Sequence, residues 1–210
     1  MLITRPNHDI TTNYLYYWSI VLIEYAKEIG QSVVDLKGKR ANEKEFVSVI
    51  KKVKPNFVVL NGHGNEETVT GYDNKPLVNL DNADILKEKI IYARSCQSAK
   101  KLGVKSVEAG CKSYIGYNED FVFVTDEHRL TRPLDDKTAQ LFLEPSNKVV
   151  TYLLKGHSSS TANQKSKELY KKTIQKFMLS SALKEEKELI PYLAWDYNHQ
   201  VCLGNQNAKL

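Results

Sequence analysis

The stretch FVVLNGHG, residues 57–64, places four apolar residues in a row before Asn61 and a histidine, His63, flanked by two glycines. A run this short, with no polar alternation, suits a strand buried on both faces. Gly62 and Gly64 let the chain turn sharply at its end and leave the backbone open to close approach. Just upstream, Phe46, Val49, Ile50 and Val53 recur at helical spacing, which predicts a helix over about 42–53. The same figure returns in KIIYARSC, residues 89–96: a short apolar run ends in Cys96 and leads into the helix-period segment SAKKLGVKSVEAG.

Working outward, MLIT precedes a predicted helix over 12–29 that Gly30 stops, and SVVDL precedes the helix at 42–53. A turn-rich excursion runs through Gly71 and YDNKP, with a short helix near NADILK. SYIGY follows the Cys96 segment, and FVFVT could add a strand. Strands alternating with helices predict an α/β fold: a mostly parallel sheet flanked by helices on both faces. Beyond Pro133 the pattern turns helical, through DDKTAQLFLE, SNKVVTYLLKG and a long polar-faced helix over about 161–183. GHSSSTANQ, with His157, reads as the most loop-like stretch, and the tail from Pro191 as a strand or hairpin. A single domain over residues 1–210 accommodates all of this.

Composition narrows the function classes. The 210 residues are 41% hydrophobic and carry a net charge of +5. The lysines between Lys165 and Lys187 are interleaved with Glu168, Glu185 and Glu186, a solvated helix face rather than a nucleic-acid surface. Arg5 and Asp9 interrupt any apolar core of a signal peptide. The greasiest segment, Tyr14 to Ala26, is too short for a bilayer and contains Glu24. Three unclustered cysteines, Cys96, Cys111 and Cys202, fit a reducing compartment, so a cytoplasmic, non-membrane protein is expected. No His, Cys or acidic spacing suggests a metal, and no cofactor is expected. No GxGxxG or Walker loop follows any predicted strand, which argues against a nucleotide binder.

At the carboxyl ends of parallel strands, side chains face the crevice where ligands bind. His63 and Cys96 both stand there. On neighbouring strands, about 5 Å apart, an imidazole can take the proton of a thiol nucleophile. The amides of Gly64 and of Cys96, placed near a helix start, would cradle an oxyanion. NGHG (Asn61–Gly64) and ARSCQSAKKLG (Ala93–Gly103) together resemble the caspase-like cysteine peptidases, in particular the gingipain-type and CHAT peptidases. AGCKSYIGY resembles the strand after the catalytic helix in those members, and VCLGNQNAKL their closing segment. The His-to-Cys spacing of 33 residues (96 − 63) is shorter than the roughly 50 of caspases. The resemblance implies a caspase-like fold and a cysteine endopeptidase acting on protein or peptide substrates. His63 would be the base, Cys96 the nucleophile and the Gly64 backbone part of the oxyanion site.

Specificity in such peptidases rests on the side chain before the cleaved bond. Asp9, Glu119 and Asp120 are candidate substrate-binding residues that would favour Arg or Lys. Arg94, two residues before Cys96 and expected on the same side of its strand, would favour acidic substrates. The resemblance leans toward Arg or Lys. The alternative is a catalytically inactive caspase-like interaction module. The resemblance allows for an activating partner or self-processing in the loop around His157, although a plain flexible connection is the expected reading of that loop.

Overall fold

The unalternating runs become strands covered on both sides. A computed structural model describes all 210 residues. Strands β1 (Leu2–Arg5), β2 (Val34–Lys37) and β3 (Phe57–Asn61) lie in one sheet with β6 (Ile90–Arg94), β7 (Ser113–Tyr117) and β8 (Gln200–Gly204). The order is β2-β1-β3-β6-β7-β8. All neighbours run parallel except β8, which is antiparallel to β7. A small antiparallel hairpin, β4 (Thr68–Thr70) and β5 (Pro76–Asn79), stands apart after β3.

Strand alternation divides the apolar runs between two cores. Val58, Leu60, Ile91 and Ala93 meet Phe46 and Ile50 of α2 (Glu43–Val53) and Leu102 of α3 (Leu102–Glu108). Phe57, Val59, Ile90 and Tyr92 meet the opposite layer. That layer is α1 (Ile10–Glu28), α4 (Lys137–Leu154) and α5 (Ser159–Phe177), contributing Leu22, Val149 and Ala162 among others. With both faces apolar, no polar position was available to mark a period of two. Side-chain caps start the long helices: Asp9 for α1, Asn42 for α2, Asp136 for α4 and Ser158 for α5.

Several expectations shift in detail. FVFVT forms no strand; Phe121 and Phe123 pack beside Tyr14, and the Val122 amide donates to Asp196 at 3.0 Å. The segments 135–144 and 146–156 belong to one helix, α4, which continues through buried Pro145. The tail is a helix before it is a strand: α6 (Lys184–Glu188) and α7 (Ile190–His199) precede β8. Pro191 explains the start of α7, because its fixed φ suits a first helical turn. GHSSSTANQ is largely the opening of α5, with Ser159 buried and its amide donating to Ala208 at 2.9 Å. His157 sits in a short α4–α5 connection, its amide bonded to the Tyr152 carbonyl. No helix is long and apolar enough to cross a membrane.

Candidate active site

β3 and β6 are neighbours whose register pairs Asn61 with Arg94. His63 and Cys96 each lie two residues beyond that pair, at equivalent points of adjacent strand ends. Buried side chains tie these ends together. Asn61 donates its amide to Thr4 Oγ1 at 3.0 Å and accepts from Arg94 Nε at 2.7 Å, linking β1, β3 and β6. Beyond the strands, Ser95 Oγ donates to the His63 carbonyl at 3.0 Å, and the Thr70 amide donates to the same oxygen at 2.9 Å. The two loops touch so closely that Gly64 has no room for a side chain. A Cβ there would lie 2.0 Å from Ser95 Oγ, 2.6 Å from the Thr68 carbonyl oxygen and 3.2 Å from that of Cys96. Gly62 is confined in the same way, by the Thr70 carbonyl oxygen 2.1 Å from its would-be Cβ.

His63 presents a half-exposed ring whose Nε2 lies 2.7 Å from Asp9 Oδ2. The carboxylate acceptor holds the imidazole proton on Nε2, which leaves Nδ1 with a free lone pair. Asp9 in turn accepts from the Thr12 amide through Oδ1 at 2.8 Å, so the cap of α1 also fixes the carboxylate. Burial alone would raise the Asp9 pKa, but the Thr12 amide and His63 outweigh it, and the net pKa falls below the ordinary carboxylate value. Cys96 is partly buried beside the Phe121 carbonyl oxygen, 3.9 Å from Sγ. Burial, aided by the Asp120 carboxylate, pushes its thiol up to about 11, so the resting sulfur keeps its proton. The amides of Gly64 and Cys96 donate to no backbone carbonyl. Residues 97–101 turn before α3 begins at Leu102, so Cys96 stands ahead of the helix rather than at its first turn.

The expected substrate readers separate. Arg94 is fully buried, a correction to its placement in the cleft. Its side chain bonds Asn61, Asn147 at 2.8 Å and Ser19, on the α1–α4 side of the sheet. Cys96 lies past the strand end, where the two-residue alternation that argued for a shared side no longer operates. Asp9 is engaged by His63 and the helix cap rather than facing the cleft alone. Glu119 pairs with Lys100 at 3.0 Å. Asp120 stays exposed, with Gln97 Nε2 2.9 Å from one carboxylate oxygen, and is one of the carboxylates that help raise the Cys96 thiol. Trp195 of α7, which the sequence reading did not single out, is 42% exposed and donates its indole N–H to the Asp120 carbonyl at 2.9 Å. Its ring lies 4.3 Å from that of His199. Read as part of a strand, the tail offered no reason to place an indole at the cleft; the proline-started helix was the available signal.

His8 lies in the short turn between β1 and α1. Its Nε2 stands 3.4 Å from Asp9 Oδ2 and 3.0 Å from Asn74 Oδ1. The ligand-capable atoms of His8, Asp9 and His63 all fall within 4.8 Å of one another. No protein-family model matches the chain, and no curated protein is significantly similar to it in sequence.

Proposed function

We propose that the chain is a cysteine endopeptidase of caspase-like type, with Cys96 as nucleophile and His63 as general base. The observation that carries the reading is the pairing of strand ends. An imidazole oriented by Asp9 and a thiol occupy equivalent positions beyond the Asn61–Arg94 pair, in loops locked by the Ser95–His63 bond. His63 Nδ1 takes the Cys96 proton as sulfur bonds the scissile carbonyl carbon. The oxyanion so formed is met by the Gly64 and Cys96 amides. The tetrahedral species collapses as His63 returns the proton to the leaving amine, which departs and leaves an acyl-enzyme. Water then attacks with His63 as base, releasing the carboxylic acid and the free thiol.

Arg or Lys before the cleaved bond is the preference this site supports. Asp120 stands beside Cys96 with a carboxylate open to solvent, while the opposing candidate, Arg94, is sealed in the core. The exposed face of Trp195 would flank such a cation. Cleavage of a peptide library by wild type, Cys96→Ala and His63→Ala tests the assignment. Loss of turnover by at least about 10³-fold in both variants is expected; equal rates in all three would discard it. One observation favours a second reading, a non-catalytic module: the thiol is partly buried and its pKa raised. Failure of an acyloxymethyl ketone peptide to label Cys96 at neutral pH would support that reading instead.

A further inference from the structure

We propose that His8, Asp9 and His63 form a site for a divalent transition-metal ion, zinc foremost, and that its occupancy switches the neighbouring cysteine chemistry off. The two imidazole Nε2 atoms converge on a single carboxylate oxygen, Asp9 Oδ2, at 3.4 Å from His8 and 2.7 Å from His63. A tetrahedral ion with bonds of about 2.0–2.2 Å holds its ligands roughly 3.3–3.6 Å apart. The His8–Asp9 edge already has that length. The His63–Asp9 edge must open by less than about 1 Å, a small swing for a ring that is 36% exposed.

Donor chemistry selects the ion. Two imidazoles and one carboxylate suit zinc and its first-row neighbours, with a fourth position left for solvent, whereas calcium and magnesium require oxygen ligands. The chain also holds the set in place. Asp9 is fixed by Thr12, and His8 lies edge-on to Tyr72 at 5.4 Å and against Asn74. Asn74 Oδ1 stands 3.0 Å from His8 Nε2, a contact that an ion on Nε2 would replace. The His8 side chain is only 10% exposed, yet its Nδ1 is buried with no partner. With Nε2 on the ion, the ring proton moves to this Nδ1, away from the metal.

Coordination changes the tautomer of His63. In the free chain its proton sits on Nε2 toward Asp9; when Nε2 binds the ion, that proton moves to Nδ1 with no net gain or loss. Nδ1 is then a donor and no longer accepts the Cys96 proton. This consequence rests on the cysteine-peptidase reading; the metal site does not.

Calorimetric titration of the full chain with zinc chloride tests the site directly. Wild type should bind one zinc, and His8→Gln, His63→Ala and Asp9→Asn should each bind at least about tenfold more weakly. His199→Ala, on α7, should bind as wild type does. Cobalt(II) provides a second readout on unmutated protein, since a four- or five-coordinate ion gives visible absorption far above that of aqueous cobalt. Absent stoichiometric zinc binding, wild-type affinity in His8→Gln, or a cobalt spectrum like that of the free ion would overturn the site. Peptide cleavage by wild type should fall over the zinc range that fills the site and return with chelator; undiminished cleavage at saturation would overturn the switch. Calorimetry and cobalt spectra need no cleavage, so they judge the site even where the peptidase reading fails.

Discussion

The carboxylate of Asp9 divides its two oxygens between tasks: Oδ1 accepts from the Thr12 amide that opens α1, and Oδ2 holds His63. Asp9→Asn separates them. Asn caps a helix about as well as Asp, so stability should change by less than about 0.5 kcal/mol. The charge that sets the His63 tautomer is lost, and kcat/KM should fall by roughly 10²–10⁴-fold. Denaturant melts beside peptide kinetics check both halves. The pH sign follows from the depressed Asp9 pKa: the folded state keeps this carboxylate ionised where the unfolded chain protonates it. Its stabilising contribution is therefore full above the ordinary carboxylate value and disappears as pH falls through the lower, folded one. Asp9→Asn should flatten that part of the acid limb, read by melts taken below pH ~5. His63 and Cys96 were legible because each closes an apolar run. The Asp9–His63 bond was not, because it joins the cap of α1 to the loop after β3, 54 residues apart, and no local pattern encodes the pairing.

At the scale of elements, the β3–β6 junction depends on the absence of a side chain at residue 64. Gly64→Ala places a Cβ inside the contact distance of Ser95 Oγ and the Thr68 carbonyl oxygen, and the second cannot rotate away. The loops must part, at a cost of about 1–3 kcal/mol typical of overpacking. The separation of His63 from Cys96 changes with them, so turnover should drop even at temperatures where the variant remains folded. Thermal melts and single-turnover acylation of the same sample decide this; retained acylation would show that the loops tolerate the spread. The parallel strands were legible because burial on both faces writes an unbroken apolar run. The helix α7 was not, since Tyr192, Leu193, Ala194 and Trp195 read equally well as strand and only their packing beside α5 decides.

Across the whole molecule, the buried Arg94 joins α1, α4, β3 and β6 through neutral partners, and burial lowers its pKa from the ordinary guanidinium value. Asn147→Leu would strand one Nη group in the apolar layer. A loss of about 1.5–3 kcal/mol is expected, measured by urea denaturation, with substrate preference unchanged because Arg94 never reaches the cleft. The sheet has a further consequence in time. β8 pairs with β7 at a sequence separation of 83, from Tyr117 to Gln200, while the four parallel pairings join strands nearer in sequence. Closing so long a span is entropically slow, so this edge is set to zip up last. Trp195 rides on the helix that delivers it. A nascent chain would thus assemble its thiol and imidazole before the indole arrives to shape what they can grip, and its selectivity would mature after its reactivity.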